Sequence, residues 1–339
     1  MVRRTTITDI ARQAGVSIKT VSRVLNDEPH VRADVRARVK QVAEELHYHP
    51  NLNARGLITR QSFLIGLTYE RPSASYVVEL QRGALDRLEH ERYRLLVLPF
   101  DKASQRSKDL FALIRSSSLD GILLAPPSCD DLGLLDALDN AGIAYARIAP
   151  TVALERGIVA IMDDTAAARS IAGHLLQLGH TKLAIITGRQ THAATRMRLD
   201  GYRQAIESHG LDFGSVLVES GDFGFESGEG AARRILDRQD PPTAIIAEND
   251  DMAVGAITVA REMGFSIPSD LSVVGFDDSE IARLSWPRLT TIKQPVFAMS
   301  RQAMDDLLKH ISKSDEATSG STMHRHELLL RDSTSQPSS

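Results

Sequence analysis

The sequence predicts an all-α head followed by an α/β body built from two doubly wound parallel sheets. Three observations carry this. The first sixty residues hold three helical patterns and no strand pattern. From Phe63 onward, short β-rich apolar runs alternate with helical segments. At 339 residues the chain also exceeds what one average core organises.

In the head, Thr8 or Asp9 is placed to cap a first short helix, because a short side-chain oxygen accepts an otherwise unpaired N–H. Ile10, Ala11 and Ala14 form its apolar stripe, and Gly15 ends it where left-handed backbone costs little. Ser17 caps a second helix running from Ile18 to about Leu25, with Val21, Val24 and Leu25 inward. Ile18, Lys19, Ser22 and Arg23 are left on its outer side, the end that enters the major groove in helix-turn-helix motifs. Two small packed helices with a solvated face would explain this segment equally well by itself. A third helix, about 33–46, turns Val35, Val39, Val42, Ala43 and Leu46 inward.

In the body, the clearest strands are 63–67, 94–98, 121–125, 143–148, 183–187, 244–247 and 272–276. Helices are expected near 77–91, 104–117, 164–179, 196–209, 226–237 and 249–264. Apolar runs of this kind between helices are strands buried on both faces, hence parallel sheets with right-handed crossovers. So many units exceed one doubly wound sheet and predict two.

In open α/β sheets a ligand sits beyond the carboxyl ends of the strands, so residues just after each strand are the candidates. Asp277 and Asp278 follow 272–276, and Asn249, Asp250 and Asp251 follow 244–247. Arg196 and Arg198 open the helix after 183–187, and Phe223 lies in the polar loop 220–224. A carboxylate, an amide, a guanidinium and an aromatic face suit a polyol, whose paired hydroxyls take bidentate partners while its C–H face takes the ring. Asp250 is alternatively a helix cap, Asp278 a loop anchor and Arg196 a partner for a surface carboxylate. Tyr69, Arg71, Ser73, Ser75 and Tyr76 follow the first strand, and Arg147 ends another. An arginine there is either a structural ion-pair member or a contact for an acidic ligand.

Composition sets limits. Residues 1–60 carry eleven Lys and Arg against six Asp and Glu, a formal +5 within a chain of −4, leaving −9 for the body. A basic head on an acidic body suits a protein that presents only its head to a polyanion. One cysteine, Cys129, excludes an intramolecular disulfide and suits a reducing cytoplasm. Neither a secretory signal nor a transmembrane run is expected. The chain has no G-x-S-x-G, P-loop, H-E-x-x-H or post-strand G-x-G-x-x-G, so no enzyme, catalytic residue, cofactor or metal is expected. His324 and His326 are read as solvent-facing residues of the last strand, without a third ligand.

The strings "DIARQAGVS", "TVSRVLN" and "YHPN..ARGL", in that order, resemble the LacI/GalR family of bacterial transcription regulators. "AENDDMAVGA", "VVGFDDSE" and "ATRMRLDGY" extend the resemblance along nearly the whole chain. It implies a helix-turn-helix domain (1–49), a hinge helix and linker (50–61), an effector-binding and dimerisation domain (62–332) and a polar tail (333–339). The large domain would resemble type I periplasmic binding proteins, with one subdomain at about 62–161 plus 292–322 and the other at about 162–291 plus 323–332. Three strands would cross between them.

The resemblance implies a repressor that binds a palindromic operator in double-stranded DNA as a homodimer, away from any membrane, under a small effector, with a sugar as the leading class. A purine- or nucleoside-responsive regulator, or a solute receptor with a non-functional head, is the competing reading. Ser17, Thr20 and Asn26 would position phosphates, with Ser22 beside them. Lys19 and Arg23 would reach guanine edges or phosphates, and Ile18 a thymine methyl. In the hinge, Asn51, Ala54, Arg55 and Leu57 would meet DNA, Leu57 as a minor-groove wedge. Arg198, Phe223, Asn249 and Asp277 would hold the effector from one side, Tyr69, Ser75 and Tyr76 from the other. "TYERPSASY" departs from the common form of that loop, and "RDSTSQPSS" lacks the heptad of a tetramerising coiled coil. Leu57→Ala is expected to weaken operator binding at least about tenfold, the size of a lost wedge contact, while effector affinity is unchanged. A filter-binding and calorimetry pair checks this, and unaltered operator affinity would discredit the wedge.

Overall fold

The computed structural model of the chain describes residues 5–25, 28–46, 48, 61–70, 73–99, 106–313 and 320–338. It divides into two compact units, Met1–Phe63 and Leu64–Ser339. Asn26, Asn51, Ala54, Arg55, Leu57 and Arg71, and with them the expected hinge helix, lie outside the described residues.

The first unit holds α1 (Ile7–Ala14), α2 (Ile18–Leu25) and α3 (Ala33–Glu45). The cap of α1 comes two residues before Thr8, the earlier of the two candidates read from the sequence. Thr6 occupies it, its N–H (3.0 Å) and hydroxyl (2.7 Å) both donating to the Asp9 carboxylate. Asp9 therefore sits inside the first turn as the acidic half of a capping box, and Thr8 is exposed. Gly15 ends the helix with φ 65°, and the Ser17 hydroxyl accepts the Thr20 N–H at 3.1 Å to start α2. Ile10, Val21, Val24 and Val39 are fully buried where the three helices meet.

The second unit begins with β1 (Leu64–Tyr69), α4 (Ala74–Leu88), β2 (Arg94–Pro99), α5 (Arg106–Ser116), β3 (Gly121–Leu124), α6 (Leu132–Ala141), β4 (Ala144–Ile148) and β5 (Ile158–Met162). It continues with α7 (Asp164–Gln177), β6 (Leu183–Thr187), α8 (Ala193–Ser208), β7 (Leu217–Ser220), α9 (Phe225–Leu236), β8 (Ala244–Ala247), α10 (Asp250–Glu262) and β9 (Ser272–Val274). It closes with α11 (Glu280–Leu284), β10 (Thr291–Lys293), α12 (Val296–Ile311), β11 (Ser321–His324) and β12 (Glu327–Leu329).

Two parallel sheets result, one ordered β11-β5-β4-β3-β1-β2 and the other β7-β6-β8-β9. Their central strands are buried from end to end, as in β3, β6 and β8, which is why they read as unbroken apolar runs. β5, β7, α6 and α12 were not expected from sequence. The two-sided burial signal is absent in β7, an edge strand whose burial alternates. β10 and β12 pair antiparallel as a ribbon, joined to the end of β9 by parallel bridges at Val274–Thr290 and Asp277–Lys293. β11 pairs with β5, so the change of subdomain expected at 323 comes after His324. This also separates His324 from His326, which lies between β11 and β12, and both are half-buried rather than solvent-facing. The polar segment after Leu330 packs along β9, where Val273 N–H donates to the Ser333 carbonyl at 2.9 Å and Ser333 is fully buried.

Two helix pairs close at glycines. A Cβ on Gly83 of α4 would lie 2.3 Å from the Phe297 carbonyl of α12, and one on Gly201 of α8 would lie 2.3 Å from the Thr165 carbonyl of α7. Gly173 of α7, by contrast, has open space around it. Gly83→Ala is therefore expected to cost about 1–3 kcal/mol through forced separation of the helices. Gly173→Ala should add up to about 1 kcal/mol through helix propensity. Thermal unfolding of the two variants, expected to move in opposite directions, checks the packing.

Candidate functional site

In the first unit, the surface of α2 is built by elimination. Burial of Val21 and Val24 leaves Ser17, Ile18, Lys19 and Arg23 exposed, with Thr20 and Ser22 half-buried beside them. Ile18 is 49% exposed although apolar, which no packing need explains. Ser17 and Thr20 hydroxyls bond each other at 2.9 Å, and Arg23 reaches Glu28 at 3.7 Å.

In the second unit, a cleft opens at the carboxyl ends of the two sheets. The smaller sheet supplies Arg198, Phe223, Asn249 and Asp277, the four residues expected on this side. Asp164 and His192 join them, unforeseen in the sequence because each lies at a helix start rather than in a motif. The larger sheet supplies Ser73, Tyr76, Pro126 and Ala149. Ser75 lies on an adjoining groove with Tyr76 and Gln294, while Tyr69 packs against the apolar core.

Arg198 anchors the cleft. Its Nε donates to Asp164 at 2.8 Å, its Nη1 to the Glu248 carbonyl at 2.6 Å, and its guanidinium carbon lies 3.7 Å from the centre of the Phe276 ring. Burial opposes its charge, but Asp164, Asp277 and Glu248 outweigh that and raise its pKa above the ordinary arginine value. Asp277 enters from the opposite edge, held by the Gln294 side-chain amide. Burial pushes its carboxyl up to about 7, against the pull of Arg198 and Gln294.

Phe223 stands in left-handed backbone, φ 72°, and lies so close over Gly188 that a Cβ there would meet the ring at 2.0 Å. His192 contacts the ring edge-on at 5.4 Å, and Asn249 Nδ2 donates to the Phe223 carbonyl at 2.8 Å. Asn249 also caps α10 by accepting the Met252 N–H at 3.0 Å. The cap expected at Asp250 is therefore one residue earlier. Asp250 is buried and binds Ser279 N–H (2.7 Å), Ser279 hydroxyl (3.0 Å) and Thr291 hydroxyl (2.6 Å), tying α10 to β10. Arg196 points away and bonds the Gln190 carbonyl at 3.1 Å, not a carboxylate.

Arg147 settles the alternative posed by its position. It is fully buried, donates to the Cys129 (2.7 Å), Val152 (2.7 Å) and Ala153 (2.6 Å) carbonyls, and pairs with Asp130 at 3.3 Å. It holds the loop between β4 and β5 and has no donor to offer a ligand. Arg198 is then the one arginine or lysine among the described lining residues, and its charge is already matched.

A model of the lacI family of bacterial regulatory proteins matches residues 6–51, and a periplasmic binding protein-like domain model matches residues 172–334. The HTH-type transcriptional regulator DegA of Bacillus subtilis (strain 168) is 34% identical over 301 residues, which cover 88% of this chain and 89% of DegA. The chain belongs to the LacI family. The probable HTH-type transcriptional repressor ExuR of the same organism is 32% identical, covering 97% of this chain and 98% of ExuR. Among solved structures, the Lac repressor dimer bound to operator and the anti-inducer ONPF superposes with a TM-score of 0.87 at 26% identity, covering 98% of this chain and all of that one. The CelR–cellobiose complex does so with a TM-score of 0.72 at 28% identity, covering 97% and 100%. Like other LacI-family members, the chain is a transcription regulator and not an enzyme. No described helix is long and apolar enough to cross a membrane.

Glu248, just below the cleft, accepts the Gly188 N–H at 2.8 Å through one oxygen, and burial pushes its carboxyl up to about 8. The unfolded chain releases this proton first, so stability falls as pH rises from the ordinary carboxylate range towards about 8. Glu248→Gln should remove that fall, gaining up to about 5 kcal/mol at alkaline pH and little in acid. Urea unfolding across pH checks it, and equal gains at both ends would refute the buried carboxyl.

Proposed function

We propose that this LacI-family chain is a repressor that binds a palindromic operator as a homodimer and answers to a neutral polyhydroxylated effector, a sugar, in the cleft. The observation that carries the effector class is the matched charge of Arg198. With Asp164 and the Glu248 carbonyl already on it, the guanidinium keeps donors for hydroxyls but no net charge for an anion. Asp277 supplies acceptors, while Phe223 and Tyr76 supply faces for C–H groups. The cellobiose in the CelR complex agrees with this class.

DNA reading falls to α2, where Ile18 and Lys19 sit exposed at the helix start and are the discriminating pair. Ser17, Thr20, Ser22 and Arg23 surround them, and the hinge residues Asn51, Ala54, Arg55 and Leu57 complete the reader. Dimerisation is supported by Leu284 and Trp286, neighbours in sequence that are 74% and 75% exposed, with Val78 and Leu85 exposed on α4. A relative of the same fold is a dimer on its operator. Such a protein works in the cytoplasm, where its DNA is.

The test is fluorescence anisotropy on the protein's own promoter DNA at fixed salt, with and without neutral sugars, sugar acids and nucleosides. Tight, sequence-dependent binding altered by a neutral sugar is expected. A response to sugar acids or nucleosides alone would overturn the effector class. Weak binding indifferent to sequence would overturn the regulator reading on that promoter.

A further inference from the structure

The segment after β12 runs along β9 of the smaller sheet, from Arg331 beside the loop that carries Asp278 to Ser335 at the start of β9. Arg331 N–H donates to the Thr290 hydroxyl at 2.9 Å, and Ser333 hydroxyl bridges the Val273 carbonyl (2.6 Å) and the Thr290 N–H (2.8 Å). Two histidines hold the next residues: His174 Nε2 meets the Thr334 hydroxyl at 3.1 Å, and His180 Nε2 the Ser335 carbonyl at 2.9 Å. The Arg331 side chain thereby enters a fixed position. One nitrogen donates to the Leu289 carbonyl at 3.0 Å and the other clamps the Asp278 carboxylate, the two side chains 16% and 9% exposed.

Asp278 is the neighbour of Asp277, and both stand in left-handed backbone, with φ 57° and 128°. For residues with a Cβ such a corner persists only where its surroundings over-determine it. Asp277 is fixed through its N–H, which donates to the Ile292 carbonyl at 2.8 Å, and through Gln294. Asp278 is fixed by Arg331. We infer that Arg331 is a positioning residue of the effector cleft: by clamping Asp278 it sets the corner from which Asp277 reaches the ligand. This rests on the proposed role of Asp277 as an effector contact.

The clamp has an electrostatic signature. Asp277 faces Arg198 on α8, Asp164 on α7, Asp251 and Asp250 on α10, and Gln294 before α12. Releasing Arg331 leaves the Asp278 charge unmatched beside Asp277, which raises the pH at which Asp277 ionises. Asp277→Asn removes a carboxyl that destabilises the fold when ionised. Its stabilising effect therefore grows with pH and levels off at the folded-state value, about 7 in the intact protein.

The experiment follows the melting temperature of the full chain from about pH 5 to about pH 9, with and without Asp277→Asn, in the native and Arg331→Gln backgrounds. Levelling is expected about half a pH unit or more higher with Arg331→Gln, and still displaced in part when Asp278→Asn is added, because the clamp remains absent; a full return to the native position would reduce the effect to charge alone and overturn the positioning role. Identical levelling in both backgrounds would reduce Arg331 to a tail anchor. Should Arg331→Gln fail to fold, Arg331→Lys keeps the charge but cannot span both acceptors. The Asp277 amide is then expected to exchange at least about tenfold faster than in the native protein, and unchanged exchange would overturn the proposal. No ligand is needed for either reading, so failure of every sugar to bind would sink the effector class without touching this result.

Discussion

A guanidinium taken out of water must find a counter-charge and further acceptors, or its burial is prohibitive. Arg198 finds them in three places that are distant in sequence. Asp164 begins α7, Glu248 follows β8, Phe276 follows β9, and Arg198 itself lies in the first turns of α8. The requirement to satisfy one cation thus fixes the relative height of three βα units at the carboxyl edge of the smaller sheet. The cleft is the space this leaves. Everything said of its ligand follows from how little of Arg198's charge remains unspent.

A second buried group does the same for the connections. Asp250, raised in pKa by burial and by Asp277, binds Ser279 and Thr291 and so joins α10 to the loop after β9 and to the β10 ribbon. Asp277 lies two residues before Ser279 and its N–H donates to the carbonyl of Ile292, next to Thr291, so the corner that carries it is held beside both attachments. Neither Arg198 nor Asp250 can be exchanged for an apolar residue without leaving buried partners unmatched.

Much of this was legible because the signals are local. Gly15, Ser17 and the Val21–Val24 stripe obey helix rules within a few residues, and runs such as 183–187 declare a strand buried on both faces. Caps were harder. Thr6, Thr8 and Asp9 all carry suitable oxygens, as do Asn249 and Asp250, and only the carbonyl geometry chooses between them. Gln294 and His192 were not legible, since they reach the cleft from opposite connections and share no motif. Arg147 stood near the end of a strand, as a ligand contact would, and only its carbonyl cage shows that it is structural.

The two units also differ in how far apart their partners lie along the chain. The helical head closes on itself within residues 5–48. Both sheets of the body remain unfinished until segments beyond Thr291 arrive: α12 and β11 for the larger, the stretch from Arg331 for the smaller. Local contacts form quickly and non-local ones slowly, so during synthesis the DNA reader is complete long before its controller. A premature stop between Thr291 and Arg331 would accordingly leave the helical head whole and the body open. In genetic terms, late nonsense mutations would uncouple the two halves of the protein instead of merely shortening it.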